Sequence, residues 1–148
     1  MAKERQFRRR VFVSHCGSDT WIARQIAKGI SRSGAVPFLD DLEIQTGSDF
    51  ETEILRFLNR AHELVVLLTP WAMDHPYVWA ELGAAWARGI PIVVVLHGLN
   101  ASELQNRPGA PVFLKAKNCR HLNDVDKYFS ELRQRTNHRS RRGVARRS

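Results

Sequence analysis

Two five-residue runs, Leu64-Val65-Val66-Leu67-Leu68 and Ile92-Val93-Val94-Val95-Leu96, contain no polar side chain. A strand with one wet face alternates apolar and polar residues, whereas a strand covered on both faces does not. Between the runs lies a helical stretch over 76–88. Pro76 suits its first turn, where a missing N–H costs nothing, and Gly89 closes it. Strands covered on both sides and separated by a helix belong to a parallel sheet with helices packed on its faces.

The rest of the chain follows the same alternation. Val11, Phe12, Val13 and Ser14 form a short apolar run ending in polar residues. Ser18 or Asp19 can cap a helix whose inner face is Ile22, Ile26 and Ile30, with Ala23 and Ala27 beside them, and Gly34 ends it. Residues 35–39 read as a second strand, which Pro37 places near an edge. A polar loop over 40–47 precedes Ser48 and Glu51, which match a capping box ahead of Ile54, Leu55, Phe57 and Leu58. Residues 97–110 read as a loop and 111–114 as a short last strand. Val125, Phe129 and Leu132 give a final amphipathic helix. The order predicts an α/β fold, a flavodoxin-like doubly wound five-stranded parallel sheet with helices on both faces.

The 148 residues fit one such domain. The net charge of +8 is unevenly spread: residues 1–10 carry +4, residues 131–148 carry +6 and the middle carries −2. This divides the chain into a basic N-terminal extension (1–10), a domain (11–135) and an Arg-rich C-terminal tail (136–148). The tail has no aromatic residue to stack on bases, so weak nonspecific polyanion binding is expected of it, not a dedicated nucleic-acid site. The longest apolar run, 90–96, is far too short to span a bilayer, and the charged start lacks the apolar segment of a secretory signal. Cys16 and Cys119 form no CxxC pair and suggest no disulfide framework, which points to a reducing cytoplasm.

In a doubly wound sheet, ligands sit beyond the carboxyl ends of the strands, where the strand order reverses. Here that point falls between the first and third strands, at the loops 15–19 and 69–75. Ser14, His15, Asp19, Tyr77 and Glu81 then surround one crevice. Apart from the Tyr77 phenol, Glu81 is the sole ionisable side chain between Pro76 and Arg88. It lies past the turn where a helix dipole would favour it. A carboxylate among Tyr, Trp, Leu and Ala is partly desolvated and needs a partner or a task. The partner reading is a buried salt bridge to Arg24 or Arg88. His15 is either a base or a polar residue ordering the strand end. Cys16 follows it, but neighbours on an extended strand point to opposite faces, which argues against a Cys/His pair. Asp40 and Asp41 read as turn residues, with cation binding as the alternative. Trp71 and Trp86 read as core or surface aromatics, and His62 and His75 as facing solvent. No metal-ligand cluster, P-loop or GxGxxG is present.

Three features in this order resemble the TIR (Toll/interleukin-1 receptor) domain family. They are the opening Val11-Phe12-Val13-Ser14-His15 with Asp19, the second-strand exit Phe38-Leu39-Asp40-Asp41 with Ile44 and Gly47, and the helix Tyr77-Val78-Trp79-Ala80-Glu81-Leu82-Gly83-Ala84-Ala85. The short form is similar to prokaryotic members. The resemblance implies cleavage of NAD between nicotinamide and ribose by a catalytic Glu81. Ser14, His15, Asp19, Asp40 and Tyr77 would then be substrate-binding residues. It implies NAD as substrate with no other cofactor and no metal, self-association between TIR domains, and a role with a partner protein in prokaryotic defence or signalling. The family commonly has Trp four residues before the glutamate, often followed by Cys; here Tyr77 and Val78 stand there. Two rival readings remain open: a noncatalytic TIR scaffold, and a nucleoside deoxyribosyltransferase-like enzyme.

Overall fold

Five strands, β1 (Arg10–Ser14), β2 (Val36–Leu39), β3 (Glu63–Leu68), β4 (Ile92–Leu96) and β5 (Cys119–His121), pair in parallel in the order β2-β1-β3-β4-β5. The computed structural model describes residues 8–39, 50–108 and 119–145. The helices among these are α1 (Thr20–Arg32), α2 (Phe50–Arg60), α3 (Pro76–Ala87), α4 (Ala101–Asn106) and α5 (Val125–Ala145). The predicted flavodoxin-like sheet is thus the observed one, with its order reversing between β1 and β3. The loop over 40–47 with Asp40, the Ser48 end of the capping box and the expected strand over 111–114 lie outside the described residues.

Side-chain alternation along each strand sends successive residues to opposite faces. One face carries Phe12, Leu64, Val66, Leu68, Val94 and Leu96 against Leu58 of α2, Val78, Leu82 and Ala85 of α3, and Leu104 of α4. The other carries Val11, Val13, Val65, Leu67 and Val95 against Ala23, Ile26 and Ile30 of α1 and Tyr128 and Leu132 of α5. The apolar runs are unbroken because both faces are covered. Ser14 is two residues beyond Phe12, so it belongs to the α3 face, and this places it for the site described below.

β2 tolerates Pro37 because, among the described residues, that strand is an edge paired only with β1. Gly34 closes α1 with φ +93°, a conformation most side chains resist. Gly29 acts through size instead. A Cβ there would lie 2.1 Å from the ring tip of Phe129, so its bare backbone lets α1 and α5 approach.

Several local expectations need correction. Asp19 occupies the position before α1 but makes no side-chain cap there; its carboxylate turns inward. The expected loop over 97–110 contains α4, because the Asn100 side chain accepts from the Glu103 N–H at 2.8 Å and Leu104 is buried. The fifth described strand is Cys119–His121. The last helix continues past the apolar residues that mark it in the sequence and runs to Ala145. Arg is a good helix former and no Pro interrupts this stretch. The Thr136 hydroxyl also donates to the Ser33 carbonyl at 3.1 Å, tying α5 to the end of α1. His62 and His75 are half-buried, and His62 Nδ1 accepts from the Arg10 N–H at 2.9 Å.

Candidate active site

Glu81 lies on the inward stripe of α3, among buried Val78, Leu82 and Ala85, and is 2% exposed. Val78, Leu82 and Ala85 follow helical spacing, and Glu81 sits within that stripe. An isolated carboxylate here would be expensive to bury. The hydroxyl of Ser14, fully buried at the carboxyl end of β1, donates to Glu81 Oε2. A hydrogen bond to a charged group contributes about 1.5–3 kcal/mol, which offsets part of that cost. Period-two alternation in β1 and the α3 stripe thus meet at one Ser–Glu pair, joining residues 67 positions apart.

A second buried node stands at the same end of the sheet. Asp19 accepts from the Thr69 hydroxyl at 2.5 Å and from the Cys16 thiol at 3.0 Å. Thr69, directly after β3, accepts in turn from the Ala72 N–H at 3.1 Å. This chain of bonds ties the loop after β1 to the loop after β3, which are the two lips of the switch-point crevice. Burial, then the hydrogen bond and charge of Asp19, push the Cys16 thiol above its ordinary value. A thiol held protonated is a poor nucleophile.

The predicted residues therefore divide. Ser14 and Glu81 are in direct contact. Asp19 is buried in the neighbouring node with Thr69 and Cys16. His15 is half-buried, and its Nδ1 lies 3.4 Å from the Val13 carbonyl oxygen. Tyr77 is one helical turn before Glu81 but 43% exposed, and its ring tilts against His75 at 5.3 Å. Asp40 lies outside the described residues. Trp79 does not stand in for the family tryptophan: its Nε1–H donates to the Met73 carbonyl at 2.8 Å, bracing the 3-10 turn Ala72–Asp74 against α3. Trp71 and Trp86 are surface aromatics. Sequence reasoning missed Thr69, although its place immediately after a fully apolar strand at the switch point was a usable signal. Among the described residues no group of three or more His, Cys, Asp or Glu gathers to hold a metal ion, and no helix is long and apolar enough to cross a membrane.

This topology has counterparts. The sequence model for the TIR domain matches residues 11–135, and the chain belongs to the TIR domain family. No curated protein sequence matches it. Among solved structures, it is similar to a metazoan TIR-STING receptor from C. gigas, with a TM-score of 0.63 at 16% identity over 82% of this chain. The match spans only 38% of that receptor chain. The TIR domain of the Toll-related receptor TRR-2 from Hydra magnipapillata gives a TM-score of 0.59 at 18% identity, covering 82% of this chain and 91% of that one. The TIR domains of the activated Roq1 resistosome give 0.57 at 18% identity, covering 86% and 82%. At such identities the likeness is one of fold.

Proposed function

We propose that this TIR domain cleaves NAD at the bond between nicotinamide and ribose, with Glu81 as the catalytic carboxylate. The observation that carries the reading is the buried Ser14–Glu81 pair at the carboxyl ends of the strands, where this sheet topology binds ligands. The chemistry asks for few groups. When the C1′–N1 bond breaks, its electron pair leaves with nicotinamide, which departs neutral, so no general acid is needed. Positive charge develops on the ribose as an oxocarbenium. A fixed carboxylate beside it stabilises that charge more than it stabilises the substrate. Water then adds at C1′ and loses a proton, giving ADP-ribose; an acceptor within the same molecule gives a cyclic product instead. One carboxylate suffices, where ordinary glycosidases need a pair.

The Ser14 hydroxyl orients Glu81, and Tyr77 offers an aromatic face at the outer edge of the same helix for a base to stack on. Because Glu81 is closed from solvent, the ribose reaches it only when the crevice opens. Self-association is the proposed trigger, in keeping with the resistosome in which the Roq1 TIR domains were seen. The setting is prokaryotic defence or signalling in the cytoplasm, consistent with two free thiols.

The test is incubation of purified protein with NAD and identification of products by mass, with Glu81→Gln alongside. Gln keeps the size and the capacity to accept from Ser14 but removes the charge. The expected loss is on the order of 10²-fold or more in rate with an unchanged melting temperature. A folded Gln variant with near-normal turnover would refute the assignment. Release of bases from deoxynucleosides, with NAD untouched, would favour the deoxyribosyltransferase-like reading.

A further inference from the structure

At the opposite end of the sheet, where the parallel strands begin, a cavity of about 340 Å³ opens between β4, β5 and α5. Its polar lining is Arg9, Glu63, Arg120, Glu131 and Arg135. These side chains come from four places in the chain: the residue before β1, the first residue of β3, the middle of β5, and two successive turns of α5. Three guanidiniums against two carboxylates leave one net positive charge. This cavity has no part in the chemistry proposed for Glu81.

The hydrogen bonding in this cluster is incomplete. Glu63 is nearly fully buried, and its carboxylate accepts three hydrogen bonds. Tyr128 donates to Oε2, while Arg9 Nη2 at 3.2 Å and Arg135 Nη2 at 2.9 Å both donate to Oε1. The Nη2 group of each guanidinium is met by Glu63, but its Nε–H is not. The Nε–H groups of both Arg9 and Arg135 are buried and have no hydrogen-bond acceptor among the described residues. A buried donor without an acceptor is unfavourable, and two cations sharing one carboxylate oxygen repel each other. Arg120 stands at the same cavity and pairs only with the half-exposed Glu131 among the contacts described.

We propose that this cavity is a binding site for a small phosphate-bearing anion, held by Arg9, Arg120 and Arg135. A phosphate group supplies several acceptor oxygens in a geometry that guanidinium forks match, and its charge relieves the repulsion between Arg9 and Arg135. The volume falls within the range of small-molecule sites and exceeds what a bare phosphate fills, so a phosphate ester fits better than the free ion.

The experiment is calorimetric titration of the full chain, at constant ionic strength, with inorganic phosphate in one arm and ribose 5-phosphate in the other. Saturable binding with one site per chain is expected in both arms, tighter for the ester. Arg120→Gln should weaken it about tenfold or more, the loss expected for a charged hydrogen bond. Glu131→Gln, which removes a competing carboxylate, should tighten it. Arg135→Lys keeps a cation near Glu63 but deletes the orphan N–H, and should weaken binding as well. Should Arg135→Lys fail to fold, Arg120 and Glu131 still carry the test, since neither touches Glu63. Absence of saturable binding in both arms would overturn the proposal. So would binding that is indifferent to both Arg120→Gln and Glu131→Gln, which would assign it to the Arg-rich sequence beyond residue 138.

Discussion

Two buried carboxylates stand at the carboxyl ends of β1 and β3, and their partners set them apart. Asp19 is held by a hydroxyl and a thiol that link two loops, which makes it a brace. Glu81 is held by the Ser14 hydroxyl on the inner face of a helix, beside an exposed aromatic residue. That aromatic gives a direct test of the crevice. Tyr77→Ala should raise the apparent KM for NAD several-fold, because base stacking on an aromatic face contributes about 1–3 kcal/mol. Tyr77→Trp should keep it near the wild-type value. Steady-state kinetics of the two variants decide, and equal behaviour would make Tyr77 an ordinary surface residue. The division between Asp19 and Glu81 was only half legible beforehand. Glu81 announced itself by standing alone in apolar sequence. Asp19 read equally well as a helix cap, because capping and bracing ask for the same short acidic side chain.

The elements themselves were well marked wherever period and length agreed. β3, β4, α1 and α3 follow from unbroken apolar runs or from helical stripes with Gly at their ends. β5 and α4 did not stand out, being three and six residues long, too short for a period to register. The contact between α1 and α5 rests on Gly29, which meets the Phe129 ring. Gly29→Ala should therefore destabilise the fold by about 1–3 kcal/mol through overpacking, despite the better helix propensity of Ala. Urea midpoints of the two proteins measure this. Restoration of stability by Phe129→Leu in the Ala background would tie the effect to that ring, and a stabilised Gly29→Ala would show that the ring moves aside freely.

Across the whole molecule, the two ends of the sheet carry different electrostatics. At the amino end, burial and then the charge and hydrogen bond of Glu63 push the Tyr128 phenol far above its ordinary value of 10.0. Below about pH 10 the phenol is protonated whether the chain is folded or not, and contributes no pH dependence. Above it the unfolded chain releases this proton and the folded chain keeps it. Stability must then fall with rising pH, by up to about 1.4 kcal/mol per unit from this group. Denaturation midpoints of wild type and Tyr128→Phe between about pH 9 and pH 11 should diverge accordingly, with the shallower slope in the Phe variant. At the carboxyl end, the closed Glu81 leads to a second expectation. Specific NAD-cleaving activity should rise with protein concentration as copies associate and open the crevice, as followed by activity and mass measured together. A strictly monomeric protein of constant specific activity would separate catalysis from assembly.

The layered parallel sheet, its order and the singular position of Glu81 were already present in the amino-acid order, because burial on both faces and helical period are local patterns that a chain cannot hide. The gathering of Ser14 and Glu81 at one crevice was legible too, but the hydrogen bond between them was not, because only β1 alternation and the α3 stripe together bring the hydroxyl onto the carboxylate across 67 residues. The same holds for Glu63, which reads as the polar residue before an apolar run until Arg9, Tyr128 and Arg135 converge on it. Partners far apart in sequence leave no period to read. Only folding, by setting the amino ends of the strands against the last helix, makes them neighbours.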